Sequence, residues 1–405
     1  MYALDKLAER VAQGADRLNL SLWASQLALD AIGEATFGHE FGALEGHTDD
    51  LFRANKQLVY VSPRRLSPRL LTLGSRRFGD TSSKTLLIRA IQRYIPIELM
   101  AWLSNIKPSN DAIVTRTGGS IRRIAARDIL AKAKQEAKGC ELDRRRDILS
   151  VLVQCNNATE AKKRMSDEEV ISQTVAIIQA GHSVTGAFMA WLFHELARHP
   201  EDQERIYQEI QDFRSKNGAD APLRAEDYEE MTYLTACLKE NLRYHPALPT
   251  LAREATTGDI IPLAIPVVSP TTGKTITHIP VQKGQRVMLD FGSYQRLKHV
   301  WGEDADTWNP SRFLNQDRKL NFQYNVGMYA NILSFSGGVQ GCIGWRFALA
   351  EAQTIVIGIL ERLKLILPPE GIEIQGVRSG MNVPMVAGKW DEGMQVPLVL
   401  ERREK

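Results

Sequence analysis

Residues 335–348 read FSGGVQGCIGWRFA, and this stretch says more about the fold than any other part of the 405-residue chain. Four glycines surround Cys342, and an apolar helical pattern begins directly after it. Glycine permits positive φ angles and lets a flat group approach the backbone closely. A cysteine just before a helix lies at the positive end of the helix dipole, which stabilises a thiolate, and a thiolate is a soft metal ligand.

Two other interpretations of Cys342 start from the same residues. A buried structural cysteine beside a glycine-rich turn is the simpler one, because free cysteines often behave as small core residues. A zinc site is poorly supported, since no second cysteine or histidine lies nearby at ligand spacing. The residues alone therefore leave a structural cysteine and a metal ligand as alternatives.

Helical periodicity dominates the rest of the chain. It predicts helices over 18–37, twice within 119–154 with a break near Gly139, over 167–197, directly after His199-Pro200, over 228–244 and over 343–364. Proline and glycine turns between short apolar runs predict strands within 249–290, and VPMVAG with MQVPLVL predicts a final hairpin. The expected fold is mainly α with a minor β-sheet (α+β), in a single domain spanning residues 1–405.

Composition and charge exclude several classes of protein. With 43% hydrophobic and 24% charged residues the chain is globular, and its formal charge of +3 gives no reason to expect a nucleic acid partner. Four scattered cysteines do not make a disulfide framework, so we expect a reducing compartment or one cysteine with a special role. Residues 1–20 contain no apolar run, and polar side chains interrupt 170–193, so we expect no membrane span and a soluble body.

The glycine-rich stretch resembles the haem-binding loop of the cytochrome P450 family, Phe-x-x-Gly-x-Arg-x-Cys-x-Gly. Phe335, Gly338, Cys342 and Gly344 match it. The resemblance implies haem b with Cys342 as the axial thiolate. Gln340 departs from the family, because relatives carry there an arginine or histidine that meets a haem propionate, and an amide brings no charge.

Three further residues match a family signature that supports the proximal side of the haem. Glu240 and Arg243 form the Glu-x-x-Arg of the family, and Arg312, in WNPSRF, matches a third member. The helical pattern alone would place both charges on a wet face opposite a leucine stripe, where an ion pair is worth only tenths of a kcal/mol. The resemblance implies instead a buried triad. Arg253 matches an arginine that pairs with a propionate in relatives.

The stretch AGHSVT, residues 180–185, resembles the oxygen-binding part of the family's long helix, with Ala180 and Gly181 leaving room for dioxygen. Relatives carry an acid where this chain has Ser183 and a threonine where it has Val184. Thr185 and Ser183 are therefore the residues that we expect in a residual distal network. His182 is more often a satisfied buried histidine than a catalytic one.

The resemblance implies a haem-dependent monooxygenase like fungal microsomal members of the family. Such an enzyme inserts one atom of O2 into a lipophilic substrate, such as a terpenoid, another secondary metabolite or a xenobiotic aromatic. Electrons would come from NADPH through NADPH-cytochrome P450 reductase. Substrate contacts are expected from 180–188, from the strand after Pro249 and near Met385–Val386. A haem-thiolate isomerase or dehydratase and a non-catalytic remnant stay open as alternatives.

The resemblance also bears on length and location. It covers about the last three-quarters of a complete family member, so we expect an N-terminally truncated chain without the usual anchor, first strands and first helices. Relatives associate with the endoplasmic reticulum membrane through that anchor. Contact of this chain with a membrane is compatible with the sequence, and a cytoplasmic location is the alternative expectation.

Overall fold

The computed structural model describes residues 2–12, 17–45, 123–135, 147–158, 164–218, 223–224, 226–314, 326–379 and 381–403. In these ranges the helices longer than two turns are α1 (Tyr2–Ala12), α2 (Leu20–Phe37), α3 (123–135), α4 (Ile148–Ala158), α5 (Asp167–Arg198), α6 (Pro200–Asn217), α7 (Thr232–Tyr244) and α8 (Trp345–Leu360). The fold is mainly helical, as predicted.

Local sequence signals set the ends of the two central helices. The Asn19 side chain accepts a hydrogen bond from the Ser21 N–H at the start of α2, and Gly38 ends that helix in the left-handed conformation at φ 56°. Ser166 and Glu169 form a reciprocal capping box at the start of α5. These residues satisfy backbone groups that a helix end would otherwise leave unpaired.

Helix α5 runs through two hydrophobic clusters. Its C-terminal part, from Thr185 to Ala197, is buried on all sides among α6, α7, α8 and the C-terminal strands. Its N-terminal part is buried on one side only, at Val170, Ile171, Thr174, Ile178 and His182, where it packs with α2, α3 and α4. The three- and four-residue spacing leaves the opposite face of this part, including Ala180, exposed.

The strands are short and antiparallel. They are β1 (Arg17–Asn19), β2 (Thr250–Glu254), β3 (Asp259–Val268), β4 (Thr275–Val281), β5 (Arg286–Asp290), β6 (Leu363–Ile366), β7 (Ile374–Ser379), β8 (Met381–Val386) and β9 (Pro397–Arg402). One sheet has the order β1-β9-β6, and β2-β5, β3-β4 and β7-β8 form two-stranded pairs. In the three-stranded sheet β9, near the C-terminus, lies between β6 and β1. It pairs with β1, near the N-terminus, with Leu18 opposite Leu398.

The predicted final hairpin is wrong. VPMVAG lies in and after β8, which pairs with β7, whereas the second run forms β9, which pairs with β1 and β6. Both runs carry the period-2 pattern of a strand, but partners are chosen by long-range packing. The predicted helix over 228–244 is divided at Met231 into Asp227–Glu230 and α7, and the break predicted near Gly139 lies outside the described residues.

Within the described ranges, α5 alone is long and apolar enough to cross a membrane, and more than half of its most apolar stretch is buried inside the protein. The burial agrees with the sequence prediction of a helix through the core.

Candidate functional site

Cys342 lies in an exposed loop that leads into α8. Its backbone N–H donates to the carbonyl of Phe335 at 2.9 Å, which closes the glycine-rich stretch into a loop. Gly338 holds a φ of 68°, in the region that favours glycine, and begins a short 3-10 turn that ends at Gln340. The Cys342 side chain is exposed, three residues before Trp345, where the helix begins.

The surface around the thiol is apolar and open. Val339 and Ile343, which flank Cys342 in the loop, are 106% and 99% exposed. A Cβ built on Gly338 or on Gly344 would meet nothing within 4 Å. Two fully exposed branched side chains beside an accessible thiol form a surface that a flat apolar group would cover. A soft sulfur donor set in such a surface fits a porphyrin whose iron takes a thiolate ligand.

Phe335, at the start of this loop, packs against two aromatic side chains. Its ring lies 6.3 Å from that of Tyr329 and 6.4 Å from that of Trp345, and Tyr329 also packs against Trp345. A Cβ on Gly341 would lie 2.0 Å from the Met328 sulfur, so a larger residue there would require the Met328 side chain to move. The sequence pattern therefore has a packing reason as well as the predicted ligand role.

The structure places Glu240, Arg243 and Arg312 in mutual contact with fully buried side chains. Glu240 accepts hydrogen bonds from Arg243 at 2.7 and 2.8 Å and from Arg312 Nε at 3.1 and 3.2 Å. The remaining N–H groups of Arg243 bond the carbonyls of Gln295, Ala305 and Thr307. Charge-assisted bonds of this kind are about twice as strong as neutral ones, and buried charges require them.

Glu240 and Arg243 do not lie on a solvent-exposed face of α7, as the helical pattern alone would predict. Helix α7 is buried on both sides, because residues 291–313 fold over the face opposite its leucine stripe. Arg312 enters from this segment in the short turn Pro310–Phe313, 72 residues from Glu240. A two-sided environment of this kind cannot be read from the periodicity of one helix.

Sequence reasoning missed Gln295, which links the triad to the cysteine loop. Its side-chain amide is fully buried and donates to the carbonyls of Leu242 and Arg243 at the end of α7. Its side-chain oxygen accepts the backbone N–H of Leu333 at 2.8 Å, two residues before Phe335. A single glutamine in a loop has no pattern that would have identified it.

The structure does not place the other predicted site residues in a hydrogen bond with Cys342 or in an ion pair with a described residue. Arg253 lies in β2 and donates to the carbonyl of Ala252, and no described carboxylate forms an ion pair with it. Gln340 is exposed. Met385 and Val386, expected to contact substrate, are only 2% and 9% exposed, and Met385 belongs to the hydrophobic core.

The sequence predicts that Ala180 and Gly181 leave room for dioxygen, but the two residues lie on different sides of α5. A Cβ on Gly181 would lie 2.6 Å from Ile32 of α2, so this glycine serves the close packing of two helices. Thr185 is buried, and its hydroxyl donates to the Gly181 carbonyl at 2.8 Å. Ala180 is exposed on the other side of the helix, where the smallness of its side chain leaves space.

Ser183 contacts the ring of His182. Its hydroxyl lies 3.0 Å from His182 Nε2, and His182 Nδ1 lies 2.9 Å from the carbonyl oxygen of Ile178. The histidine is 3% exposed, whereas Ser183 is partly exposed. The structure thus brings Ser183, one of the two predicted distal residues, together with the histidine, whereas the hydroxyl of Thr185 bonds the backbone of its own helix.

Comparisons with known proteins agree with these features. A family model described as Cytochrome P450 matches residues 2–379. Cytochrome P450 monooxygenase 205 of Postia placenta is 29% identical over 400 residues, covering 95% of this chain and 67% of the relative. Cytochrome P450 monooxygenase claW of Ampulloclitocybe clavipes is 29% identical over 391 residues, covering 96% and 66%. A ganoderic acid synthetase of Ganoderma lucidum is 29% identical over 365 residues, covering 89% and 64%.

A solved structure shows the same fold. The crystal structure of the cytochrome P450DA heme domain matches with a TM-score of 0.68 at 18% sequence identity, covering 100% of this chain and 72% of that chain. The chain spans about two thirds of the length of the curated relatives that it matches.

Proposed function

Because the chain belongs to the cytochrome P450 family, we propose that it is a haem-dependent monooxygenase that inserts one oxygen atom of O2 into a lipophilic organic substrate. The observation that carries the proposal is the exposed thiol of Cys342 between two fully exposed apolar side chains, Val339 and Ile343. Such a surface supplies both a soft iron ligand and an apolar contact for a porphyrin face.

The residues of this chain would share the work of holding the group. When bound, haem with an axial thiolate supplies the oxidising chemistry. Cys342 would hold the iron, Arg253 would pair with a propionate and Gln340 would donate a hydrogen bond to one. Glu240, Arg243, Arg312 and Gln295 fix the segment that precedes the cysteine loop, so that the thiol is presented by a rigid support.

The substrate and partners follow from the family. We propose a lipophilic secondary metabolite, such as a terpenoid, or a xenobiotic aromatic as the substrate. The name of the Ganoderma lucidum relative, ganoderic acid synthetase, supports the first class. NADPH-cytochrome P450 reductase is the proposed electron donor, and association with the endoplasmic reticulum membrane is the proposed location.

The reduced protein with carbon monoxide tests the proposal. After reconstitution with haem we expect a strongly red-shifted Soret band, lost in Cys342→Ser because an alcohol is a poor substitute for the thiolate. The matched control is Cys155→Ser, which removes another exposed cysteine. A chain that takes up no haem, or a band that survives in Cys342→Ser, contradicts the proposal.

A second function is favoured by one specific observation. Val184 replaces the threonine of the family, and the Thr185 hydroxyl is bonded to the Gly181 carbonyl. A haem-thiolate isomerase or dehydratase, which needs no reductive proton delivery, would tolerate this arrangement. Reaction with NADPH, reductase and ¹⁸O2 separates the two functions, because only the monooxygenase places ¹⁸O in its product.

A further inference from the structure

We propose that His182 is a positioning residue that makes the Ser183 hydroxyl a fixed hydrogen-bond acceptor on the open face of α5. This pair would hold a water on the distal side of the site, where Val184 offers no polar atom. The inference rests on the proposed function, because it assigns the water a place beside the haem. It differs from the predicted network of Thr185 and Ser183, in which the histidine had no part.

The contact with the Ile178 carbonyl fixes the hydrogen on one nitrogen of the His182 ring. The carbonyl oxygen of Ile178 can only accept, so His182 Nδ1, at 2.9 Å, carries the hydrogen. In the neutral ring Nε2 then has a lone pair, and the Ser183 O–H at 3.0 Å donates to it. The single hydrogen of the hydroxyl is thereby directed to the ring, and the oxygen keeps lone pairs for a donor from outside the helix.

Other hydroxyls of α5 behave differently. Those of Ser172, Thr174 and Thr185 each donate to the carbonyl four residues earlier, at 2.7, 2.9 and 2.8 Å. This is the ordinary arrangement of serine and threonine inside a helix. Ser183 bonds the histidine instead, so its orientation is set by the neighbouring side chain and not by its own backbone.

The placement of the pair matches its proposed role. Ser183 is three residues after exposed Ala180 and four after exposed Gln179, which places it on the open face of the helix. His182 is 3% exposed and belongs to the face that packs with α2. A buried, hydrogen-bonded ring holds its partner in one orientation without a further loss of side-chain freedom.

Infrared spectroscopy of the reduced haem protein with carbon monoxide tests the orientation toward the site. The C–O stretch responds to polar groups next to the bound probe. We expect Ser183→Ala and His182→Leu to shift it in the same direction, and the double variant to add little, because the two residues act as a unit. Ser183→Thr keeps the hydroxyl and should restore the parental band. The control Thr174→Val, which removes a buried hydroxyl of the same helix, should leave it unchanged.

Nitrogen NMR of ¹⁵N-histidine protein tests the pair itself. His182 should show a protonated Nδ1 and an unprotonated Nε2. Ser183→Ala should change only the Nε2 resonance. The two His182 signals are assigned by their loss in His182→Leu. This measurement works in the haem-free chain and in the diamagnetic carbon monoxide complex.

Each outcome is decisive. A protonated Nε2 with a bare Nδ1, or an Nε2 resonance unchanged in Ser183→Ala, overturns the pair. A haem-loaded protein whose C–O stretch ignores Ser183→Ala and His182→Leu overturns the distal role but leaves the proposed function standing. A chain that binds no haem overturns the proposed function and the role together.

Discussion

The two buried arginines of the triad illustrate how single residues satisfy their charges. Arg243 places every N–H of its guanidinium on an acceptor, and Arg312 does the same with Glu240, Asp304 and the carbonyls of Trp301 and Thr307. Glu240 alone faces two cations, so Asp304, 3.2 Å from Arg312, supplies the second negative charge. Burial of such a cluster is tolerated only when its members are completely paired.

Arg312→Lys should therefore be strongly destabilising. A lysine has three donors in place of five and cannot match the fork of the guanidinium, so acceptors around Glu240 lose partners. We expect a loss of about 2–4 kcal/mol in the free energy of unfolding, measured with urea.

The exposed Arg286 gives the matched control for this substitution. Arg286→Lys should change the free energy of unfolding by less than about 0.5 kcal/mol. Equal unfolding midpoints for the two variants would show that the triad contributes nothing specific to stability.

At the scale of the element, α8 combines an exposed beginning with a buried body that contains one unpaired acid. Among the described residues no hydrogen-bond partner reaches either carboxylate oxygen of Glu351, nine residues after Cys342. Burial raises the pKa of this carboxyl to about 8. The folded protein consequently keeps Glu351 protonated where the unfolded chain ionises it.

Glu351→Met should stabilise the protein in a pH-dependent way. Between about pH 4.5 and 8 the folded state binds the additional proton, so the stability of the parent falls relative to the variant as the pH rises. The advantage of the variant should grow across this window to about 3–5 kcal/mol and stay constant above it.

Denaturant unfolding at several pH values measures this advantage. The same substitution at Glu229, which is exposed, provides the control and should show no such window. An advantage that does not change with pH would mean that Glu351 has the same pKa in the folded protein as in the unfolded chain.

The ends of single helices follow from the sequence, whereas the partners of an element do not. The ends of α2 and the length of α5 were predicted closely, since caps and apolar runs are local signals. The two-sided burial of α7 and the partners of β8 and β9 were not, because distant segments produce them. The single domain spanning residues 1–405 stays a prediction.

For the whole molecule, the β3–β4 hairpin is the prominent exposed apolar feature of the described chain. Its exposed large hydrophobic side chains are Ile260, Ile261, Ile265, Val267, Val268, Ile276 and Ile279. Within the described ranges neither strand has a second partner, so both outer edges are unpaired. Such a surface favours association with other apolar surfaces, including a second copy of the chain.

Replacing Ile265 and Val268 together with threonine should reduce self-association without loss of stability. Both side chains are more than half exposed, so little buried area is lost, and threonine keeps a high β-propensity. We expect less light scattering at high protein concentration and an unchanged Tm.

The control for the hairpin variant changes a buried member of the same unit. Val281→Thr, at a side chain that is 7% exposed, should lower Tm because it buries a hydroxyl in place of a methyl group. Unchanged scattering in the hairpin variant would assign self-association to another surface.

The sequence by itself determined the helices, the cysteine loop and the family, because these depend on patterns within a few neighbouring residues. Gly338 and Cys342 act through local backbone geometry, and the capping box at Ser166 needs only four consecutive positions. The tertiary structure alone decided which side of α5 is open, how Ser183 is oriented, and how Gln295 joins the triad to the loop. Those features depend on contacts or burial that only packing creates, and no local pattern encodes the identity of a distant partner.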